Sequence, residues 1–355
     1  MSVIAAVRPV LPPRQYRQEQ LTDMFLDVLG EPSRAGVVRR LHSSAKVRTR
    51  HVVLELDEYR RLSDFGAAND AFLEHAVELG TSAVRGAIEE AGLRPEDVDV
   101  IFSTTVTGVA APSIEARIAG LVGLRPDVKR VPMFGLGCVA GASGIARLHD
   151  YLSGAPDEVG VLLSVELCSL TMQRGDSSTA NLVASGLFGD GASAVVALGD
   201  ARAERETTGR TGPRVLGSRS HLYPDTQRTM GWDVTAGGLK IVLDAEVPGL
   251  VQQYLGEDVT AFLAAHGLQV ADVAAWVCHP GGPKVIEAIQ DMLGLPAEAL
   301  ELTWRSLAEV GNLSSSSVLH VLSDTIEKRP PAGTPGLLMA MGPGFCSELV
   351  LLRWQ

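Results

Sequence analysis

The chain has 355 residues, of which 46% are hydrophobic and 21% charged, and its formal net charge is -11. This composition is that of a globular protein large enough for two domains or two fused halves, and it excludes a disordered chain. The acidic balance argues against nucleic acid or an anionic membrane surface as a partner. The four cysteines lie far apart without zinc-site spacing, so we expect no metal and the reduced thiols of a cytoplasmic protein. The amino terminus resembles neither a signal peptide nor a membrane span.

In chain order, strands alternate with helices, which indicates an α/β layered fold. The elements predicted in the first part of the chain are a strand at 3–8, helices at 18–29, 35–41 and 69–91, a strand at 98–105, a helix at 113–124, a strand at 128–134, a helix from 138 to about 151, a strand at 160–166, a helix at 181–188 and a strand at 192–198. Those predicted in the second part are strands at 214–219 and 239–243, a helix at 247–267, a strand at 273–279, helices at 284–293 and 314–329, and strands at 336–341 and 346–354.

The clearest change in composition is a polar, charged stretch with Gly and Pro at residues 201–213. We interpret it as a connection between an amino-terminal half, residues 1–200, and a carboxy-terminal half, residues 214–355. The turns at Cys138 and Asn312 both place a polar side chain before a helix that begins with small residues. That similarity is a faint indication of internal duplication.

A basic run near the amino terminus comprises Lys46, Arg48 and Arg50. It is interpreted either as a solvated surface loop or as an anchor for phosphates. The second interpretation follows because an acidic protein concentrates cations in few other places.

Cys138 is the candidate nucleophile. A β-like run ends at Gly135-Leu-Gly137, and a helical pattern rich in small residues follows the cysteine. A thiol at a strand-to-helix turn faces the positive end of the helix dipole, which favours the nucleophilic thiolate. Taken alone, the residue is more simply interpreted as an inert buried cysteine, because free cysteines are among the most buried residues.

His279 and Asn312 are the candidate partners of this thiol. His279 ends a predicted strand before Pro280-Gly-Gly-Pro283, and alone it reads as a structural histidine. Asn312 follows a glycine before a serine-rich helix start, and alone it reads as a helix N-cap. Together the three residues supply a nucleophile, a base and a neutral hydrogen-bond donor. Hydrolysis and condensation both remain open, because thiol proteases also use an asparagine.

Nearly the whole chain resembles a type III polyketide synthase of the chalcone synthase-like family. Five motifs in the family's order carry the resemblance: Gly137-Cys138-x-Ala-Gly, Leu187-Phe-Gly-Asp-Gly-Ala192, His279-Pro-Gly-Gly-Pro283, Gly311-Asn312-x-Ser-Ser and Met341-Gly-Pro-Gly344. The resemblance implies a thiolase-like αβαβα fold made of two pseudo-duplicated halves and a homodimer. It also implies acyl-CoA and malonyl-CoA as substrates, with no separate cofactor.

In such an enzyme Cys138 would hold the starter as a thioester, and His279, paired with it in the free enzyme, would stabilise the thiolate. His279 and Asn312 would then stabilise the enolate formed when malonyl-CoA loses carbon dioxide. Phe188 matches the family's first gatekeeper aromatic, and the second gatekeeper position holds Ile241, where plant chalcone synthases carry Phe. The other implied substrate contacts are Val106, Cys168, Thr171 and Ser314 in the cavity and Lys46, Arg48 and Arg50 at the CoA phosphates. Cys168 reads equally well as a core thiol.

The segment from Met230 to Val234, with Ile241 downstream, resembles the bacterial branch that makes alkylpyrones or alkylresorcinols from fatty acyl-CoA. The first alternative is a small or malonyl starter that gives a hydroxylated aromatic. The second is a ketoacyl synthase III that performs a single condensation. The Phe188 motif argues against it, and so does the absence of a strong basic patch in the sequence. A catalytically inactive scaffold of the same fold is the remaining alternative, and the intact triad argues against it.

Overall fold

The computed structural model describes residues 1–206 and 212–355. Thirteen strands are found in these two stretches. Their bounds are β1 (Ser2–Val10), β2 (Gln15–Arg17), β3 (Thr49–His51), β4 (Val100–Thr104), β5 (Lys129–Met133), β6 (Val159–Leu167), β7 (Asp190–Gly199), β8 (Arg214–Leu222), β9 (Met230–Thr235), β10 (Gly238–Leu243), β11 (Ala275–Cys278), β12 (Pro335–Gly342) and β13 (Cys346–Arg353).

The α-helices are α1 (Gln18–Leu29), α2 (Ala35–Ser44), α3 (Phe65–Glu90), α4 (Ile114–Val122), α5 (Ala140–Gly154), α6 (Thr179–Leu187), α7 (Asp200–Arg205), α8 (Val247–Leu250), α9 (Gly256–Ala265), α10 (Pro283–Leu293), α11 (Glu301–Val310) and α12 (Ser317–Lys328). A five-residue π-helix, Val251–Leu255, joins α8 to α9. None of the helices in the described stretches is long and apolar enough to cross a membrane.

Nine strands form one sheet in the order β11-β12-β13-β8-β1-β7-β6-β4-β5. The two halves of the chain meet where β1 pairs with β8 over only two residue pairs, Ser2 with Val215 and Val3 with Arg214. In the first half β4 and β6 are parallel, β6 and β7 antiparallel, and β7 and β1 antiparallel. In the second half β11, β12, β13 and β8 repeat that pattern. The repeat confirms the expected thiolase-like fold of pseudo-duplicated halves.

Helices α5 and α12 form the middle layer. They are buried among side chains of both halves, such as Leu162 and Val195 from the first and Leu338 and Val350 from the second. A second cluster lies beneath α3 and α4 on the first half, and a third beneath α8 to α11 on the second half. Burying both faces of each half-sheet produces the predicted helix–sheet–helix–sheet–helix arrangement.

Most predicted elements are present, several with shifted ends. The helix at 18–29 is confirmed with the predicted bounds, whereas the first strand continues through Pro9 to Val10. Strand β9 and helix α11 lie in stretches for which no element is predicted. Part of the predicted connection at 201–213 is helical, because α7 ends at Arg205, and its residues 207–211 lie outside the described chain.

Candidate active site

Cys138 lies in a single 3-10 turn, Gly137–Val139, that leads into α5. The turn is held closely against the motif at residues 341–344, since a Cβ added to Gly137 would lie 2.6 Å from Cδ of Pro343. Gly137 also has a φ of 55°, which glycine adopts without strain. These two constraints fix where the thiol is presented, and Cys138 remains half-buried.

The start of α12 lies against the start of α5. A Cβ on Gly141 would meet the carbonyl oxygen of Ser315 at 2.2 Å, so only glycine permits this approach of the two helices. The second helix is also preceded by a 3-10 turn, Ser314–Ser316. The Ser314 hydroxyl lies 3.7 Å from the Cys138 sulfur, which brings the turn of the second half to the thiol of the first.

His279 follows β11 directly, and its backbone N–H donates to the carbonyl of Met339 on the neighbouring strand at 3.0 Å. The residue is only 3% exposed. Both imidazole nitrogens are buried without a hydrogen-bond partner in the described structure. A buried ring with unused donor and acceptor capacity is unusual in a structural histidine and suits a residue that meets a substrate.

Asn312 is fixed by four hydrogen bonds. Its backbone N–H donates to the carbonyl of Leu187 at 2.8 Å, and its own carbonyl accepts from the N–H of Gly189 at 3.0 Å, which makes a bridge to Phe188. Its side-chain oxygen accepts from the N–H of Ser314 at 2.8 Å. The amide nitrogen donates to the carbonyl of Gly281 at 3.3 Å, beside the turn that holds His279. The bond from Ser314 directs the amide NH₂ away from its own turn.

One cavity of about 410 Å³ joins these three residues. Four of the predicted substrate contacts also line it: Val106, Phe188, Ile241 and Ser314. Its volume lies in the usual range for small-molecule sites. The exposed residues Ser44, Asp244 and Lys284 also line this cavity and mark its opening to the surface.

Burial dominates the electrostatics of Cys138 and His279. It raises the pKa of the thiol to about 12, against a small lowering effect of the Ser314 hydroxyl. It lowers the pKa of the imidazole to about 4. Burial therefore favours a neutral thiol and a neutral imidazole. The described hydrogen bonds pair the thiol with Ser314 and not with His279, so the expected Cys138–His279 pair is not formed in this state.

Glu166 is a buried acid beneath the site, and no motif in the sequence marks it as a site residue. Its carboxylate accepts from the N–H of Val106 at 3.1 Å, from Ser315 at 2.5 Å and from Ser314 at 3.3 Å. Burial raises its pKa, which those hydrogen bonds partly offset. The acid thereby ties the segment that follows β4 to the turn before α12.

Cys168 and Thr171 lie behind the wall of the main cavity. They line a small chamber of about 30 Å³ that shares Phe188, Trp232 and Ile241 with it. Trp232 pairs with Ile241 across the β9–β10 hairpin. The indole, which was not selected from sequence as a contact, therefore forms part of the same partition.

The basic run divides into three different environments. Lys46 is exposed, and Arg48 is exposed and forms an ion pair with Glu309 at 3.3 Å. Arg50 is only 4% exposed, and its guanidinium is bound to Gln18 and to backbone carbonyls. The expectation that Arg50 contacts CoA phosphates is therefore wrong, because its charge is directed into the protein. Lys284 is the one Lys or Arg among the described residues that line the cavity.

The fold and the site define an acyl-transferring enzyme of the thiolase type, in which a thiol, an imidazole and an amide meet at the start of two central helices. The family description "Chalcone and stilbene synthases" matches residues 1–201 as its N-terminal domain and residues 215–354 as its C-terminal domain. The chain belongs to this family, the type III polyketide synthases, which are malonyl-CoA-dependent, decarboxylating acyltransferases.

Three comparisons are informative about the branch. The chain is 55% identical over 353 residues to 1,3,6,8-tetrahydroxynaphthalene synthase of Streptomyces peucetius subsp. caesius, covering 99% of this chain and 93% of that one. It is 28% identical to "Alpha-pyrone synthesis polyketide synthase-like Pks18" of Mycobacterium tuberculosis, covering 99% and 91%. The solved 1,3,6,8-tetrahydroxynaphthalene synthase of Streptomyces coelicolor A3(2) superposes with a TM-score of 0.92 at 28% identity, covering 99% of both chains.

Proposed function

We propose that this enzyme uses malonyl-CoA both as starter and as extender, and that it cyclises the resulting chain to a hydroxylated aromatic of the naphthalene type. The observation that carries the proposal is the partition formed by Phe188, Trp232 and Ile241. Behind it lies a chamber of only about 30 Å³, less than a tenth of the main cavity of about 410 Å³. A long alkyl chain needs a continuous apolar channel, and the partition blocks that direction.

The comparisons support the same choice. The 55% identical relative is named for a naphthalene with hydroxyls on alternate carbons, a pattern typical of a chain built from two-carbon units. The relative named for alpha-pyrone synthesis matches at 28% over a similar length. Sequence similarity therefore favours the small-starter alternative over the fatty acyl starter that the segment at Met230 suggested.

Cys138 loads the starter in the first step. Its sulfur attacks the thioester carbonyl of malonyl-CoA, a new carbon–sulfur bond forms and the bond to the CoA sulfur breaks. His279 takes the thiol proton and passes it to the departing CoA thiolate. The desolvation of Cys138 and His279 disfavours the charged form of each, so we assign their charge separation to the moment when the substrate is bound.

Decarboxylation of the next malonyl-CoA supplies the carbon nucleophile. The bond from the methylene carbon to the carboxylate breaks, carbon dioxide leaves, and the electron pair forms the enolate of an acetyl thioester. N–H groups of His279 and Asn312 donate to the enolate oxygen. A neutral amide suits Asn312's place, because a carboxylate would repel the developing negative charge.

Condensation closes the cycle. The enolate carbon attacks the acyl carbonyl on Cys138, a carbon–carbon bond forms and the sulfur leaves as thiolate, which can be loaded again. We assign Val106, Ser314, Phe188 and Ile241 to the wall against which the growing chain folds before ring closure. No cofactor enters these steps, because the CoA thioesters supply all the reacting groups.

Incubation of the pure protein with malonyl-CoA alone tests the starter assignment. We expect an aromatic product whose mass and spectrum match a hydroxylated naphthalene, formed without any added acyl-CoA. Cys138→Ala provides the control for non-enzymatic decay of malonyl-CoA. Products that appear only with medium- or long-chain acyl-CoA and that carry the alkyl group would overturn the assignment and establish the alkylpyrone or alkylresorcinol alternative, which the aliphatic Ile241 favours.

At the mouth of the cavity we assign the CoA phosphates to Lys46 and Lys284. Lys284 is exposed at the start of α10 and lines the cavity. Lys46 is exposed one residue after Ala45, which also lines it. Arg48 is already paired with Glu309 and is a weaker candidate. A mobile phosphate group is most readily held by such exposed, flexible cations.

We also infer a homodimer, which the apolar surface near β5 supports. Val109 is 50% exposed and Phe134 is 60% exposed, and both line one surface cavity of about 200 Å³. Large exposed hydrophobic side chains that cluster in this way mark interaction surfaces. Light scattering should give twice the mass of the 37.6 kDa chain, and Phe134→Glu should lower that mass toward the monomer. A monomeric wild type would contradict the inference.

A further inference from the structure

We infer that Arg50 is a positioning residue of the active site, which holds the backbone of Phe188 and, through the Phe188–Asn312 bridge, sets the place of the Asn312 amide. The inference rests on the proposed role of Asn312 in decarboxylation. It assigns a purpose to a buried cation that neither the surface-loop nor the phosphate-anchor interpretation explains.

Three hydrogen bonds aim the guanidinium at the end of α6. One terminal nitrogen of Arg50 donates to the carbonyl of Phe188 at 2.7 Å and to that of Ser185 at 2.8 Å. Its Nε donates to the side-chain oxygen of Gln18 at 3.0 Å. Hydrogen bonds from a charged donor are about twice as strong as neutral ones, so the Phe188 carbonyl is held firmly.

The held carbonyl lies beside the backbone that carries Asn312. Phe188 and Asn312 form an isolated parallel bridge, closed by the bonds from Asn312 N–H to Leu187 and from Gly189 N–H to Asn312. The stem of Arg50 also packs against the residue before Asn312, since a Cβ on Gly311 would lie 3.0 Å from its Cγ. Arg50 therefore binds Phe188, one partner of the bridge, with its guanidinium and packs its stem against Gly311, the residue before the other partner.

The surroundings keep this cation charged although it is buried. Burial lowers the pKa of Arg50 to about 10, an effect that the nearby Asp190 opposes. The Asp190 carboxylate is fully buried and accepts from Val53 N–H at 2.9 Å and from Ser169 N–H at 2.8 Å. A buried charge is expensive unless it is paired and hydrogen-bonded, so both groups are held in fixed places. A mobile Arg50 would be a poor positioner, and this one is fixed.

A double-mutant cycle separates positioning from simple structural support. Arg50→Lys retains the charge, but its single shorter ammonium has no counterpart of the Nε that binds Gln18, so it cannot hold Gln18 and both carbonyls in the same geometry. Malonyl-CoA decarboxylation, measured as acetyl-CoA formed, should fall by about 10- to 100-fold, because a small displacement of a catalytic group has effects of that size. In an Asn312→Ala background the same substitution should lower the decarboxylation rate hardly any further. Acyl loading of Cys138, followed by intact mass, should persist in Arg50→Lys.

Arg174→Lys is the matched control. That guanidinium also holds backbone carbonyls, those of Tyr59 at 2.8 Å and Leu62 at 2.9 Å, but away from the catalytic residues. We expect its decarboxylation rate to stay within about twofold of wild type. If Arg50→Lys folds in low yield, Gln18→Met removes one bond to the guanidinium and should produce a smaller loss in the same direction.

The outcomes are distinguishable. An Arg50→Lys loss of equal size with and without Asn312 would overturn the inference while leaving the proposed function intact, and so would an unchanged rate in a folded variant. If Asn312→Ala itself leaves decarboxylation unchanged, the proposed role of Asn312 fails, and the inference fails with it. Coupled losses together with retained loading would establish Arg50 as a positioning residue.

Discussion

The two halves of the chain repeat one arrangement and supply different chemistry from it. The 3-10 turn before α5 carries Cys138, whereas Ser315 occupies the same place in the turn before α12 and donates to the buried Glu166 at 2.5 Å. The segment after β4 contributes the apolar Val106 to the cavity. The corresponding strand of the second half, β11, is followed by His279 instead. The repeated arrangement therefore builds a symmetric centre, in which one half carries the proposed nucleophile and the other carries the proposed hydrogen-bond donors.

Removing the contribution of the first half has the largest expected effect. Cys138→Ala should abolish acyl loading, because no other sulfur occupies the start of α5 in the described structure. The fold should persist, since a small side chain replaces another at a half-buried position. Intact-mass spectra after incubation with malonyl-CoA measure the adduct, and circular dichroism checks folding. A stoichiometric acyl adduct on the variant would show that Cys138 is not the nucleophile.

Removing a hydrogen-bond donor of the second half should have the next-largest effect. Asn312→Ala should slow malonyl-CoA decarboxylation by about 10²–10³-fold, because one donor to the enolate oxygen is lost. Loading of Cys138 should continue, since the thiol is hydrogen-bonded to Ser314 in the described structure and not to Asn312. Rates of acetyl-CoA formation and of adduct formation are compared in the same preparation. Equal losses in the two rates would contradict the assignment of loading to Cys138 and of decarboxylation to Asn312.

His279→Ala tests the same assignment of roles to the residues of the two halves. This variant should also lose decarboxylation by about 10²-fold or more. In contrast to Asn312→Ala, it should also slow loading, because the imidazole is the proposed acceptor of the Cys138 proton. The rate of adduct formation from malonyl-CoA, followed by intact mass, measures loading in both variants. A loading rate that matches wild type would remove His279 from the loading step.

The proposed catalytic residues could be selected from the sequence because the backbone geometry of their turns requires glycine nearby. Gly137, Gly311 and the glycines after His279 leave a local signature at each position. Arg50 was misassigned because its partners are not local: Gln18 is 32 residues away in the sequence and Ser185 is 135 away. Lysines and arginines are usually exposed, so a run of them predicts a surface loop. Only the folded structure shows that backbone carbonyls surround Arg50.

The cavity wall was less predictable for a related reason. Trp232 lies on β9, in a tract whose polarity does not alternate clearly enough to indicate a strand. Its importance arises from pairing with Ile241 and from the shared lining of two cavities. Neither follows from residue type or spacing. The hairpin that carries both residues has no counterpart in the repeat shared by the halves.

That hairpin gives a prediction of intermediate size. Trp232→Ala should join the main cavity to the chamber behind it and admit longer starters. Each additional buried CH₂ contributes about 0.8 kcal/mol, so two or three methylenes should raise the preference for a longer acyl-CoA by roughly 10-fold or more. Val234→Ala, on the same strand but 76% exposed, is the matched control. Competition between malonyl-CoA and hexanoyl-CoA as starters, with products identified by mass, measures the ratio.

Ile241→Phe is the opposite change at the partner position. A larger ring should narrow the cavity, leave priming by malonyl-CoA largely intact and exclude longer starters further. If both variants keep the wild-type product ratio, the partition does not set starter choice. Starter specificity would then depend on residues other than those of the partition.

The smallest expected effect lies at the opening of the cavity, outside the duplicated centre. Lys284→Ala should raise the KM for malonyl-CoA about two- to fivefold and leave kcat nearly unchanged, because a single exposed charge contributes about 0.2–1 kcal/mol. The difference from wild type should shrink as salt is raised, since an exposed charge is screened over about 10 Å at 0.1 M. Lys328→Ala, which removes an exposed lysine paired with Glu301, is the matched control. An equal change in KM for both variants, or one insensitive to salt, would remove Lys284 from the CoA site and leave Lys46 as the remaining candidate.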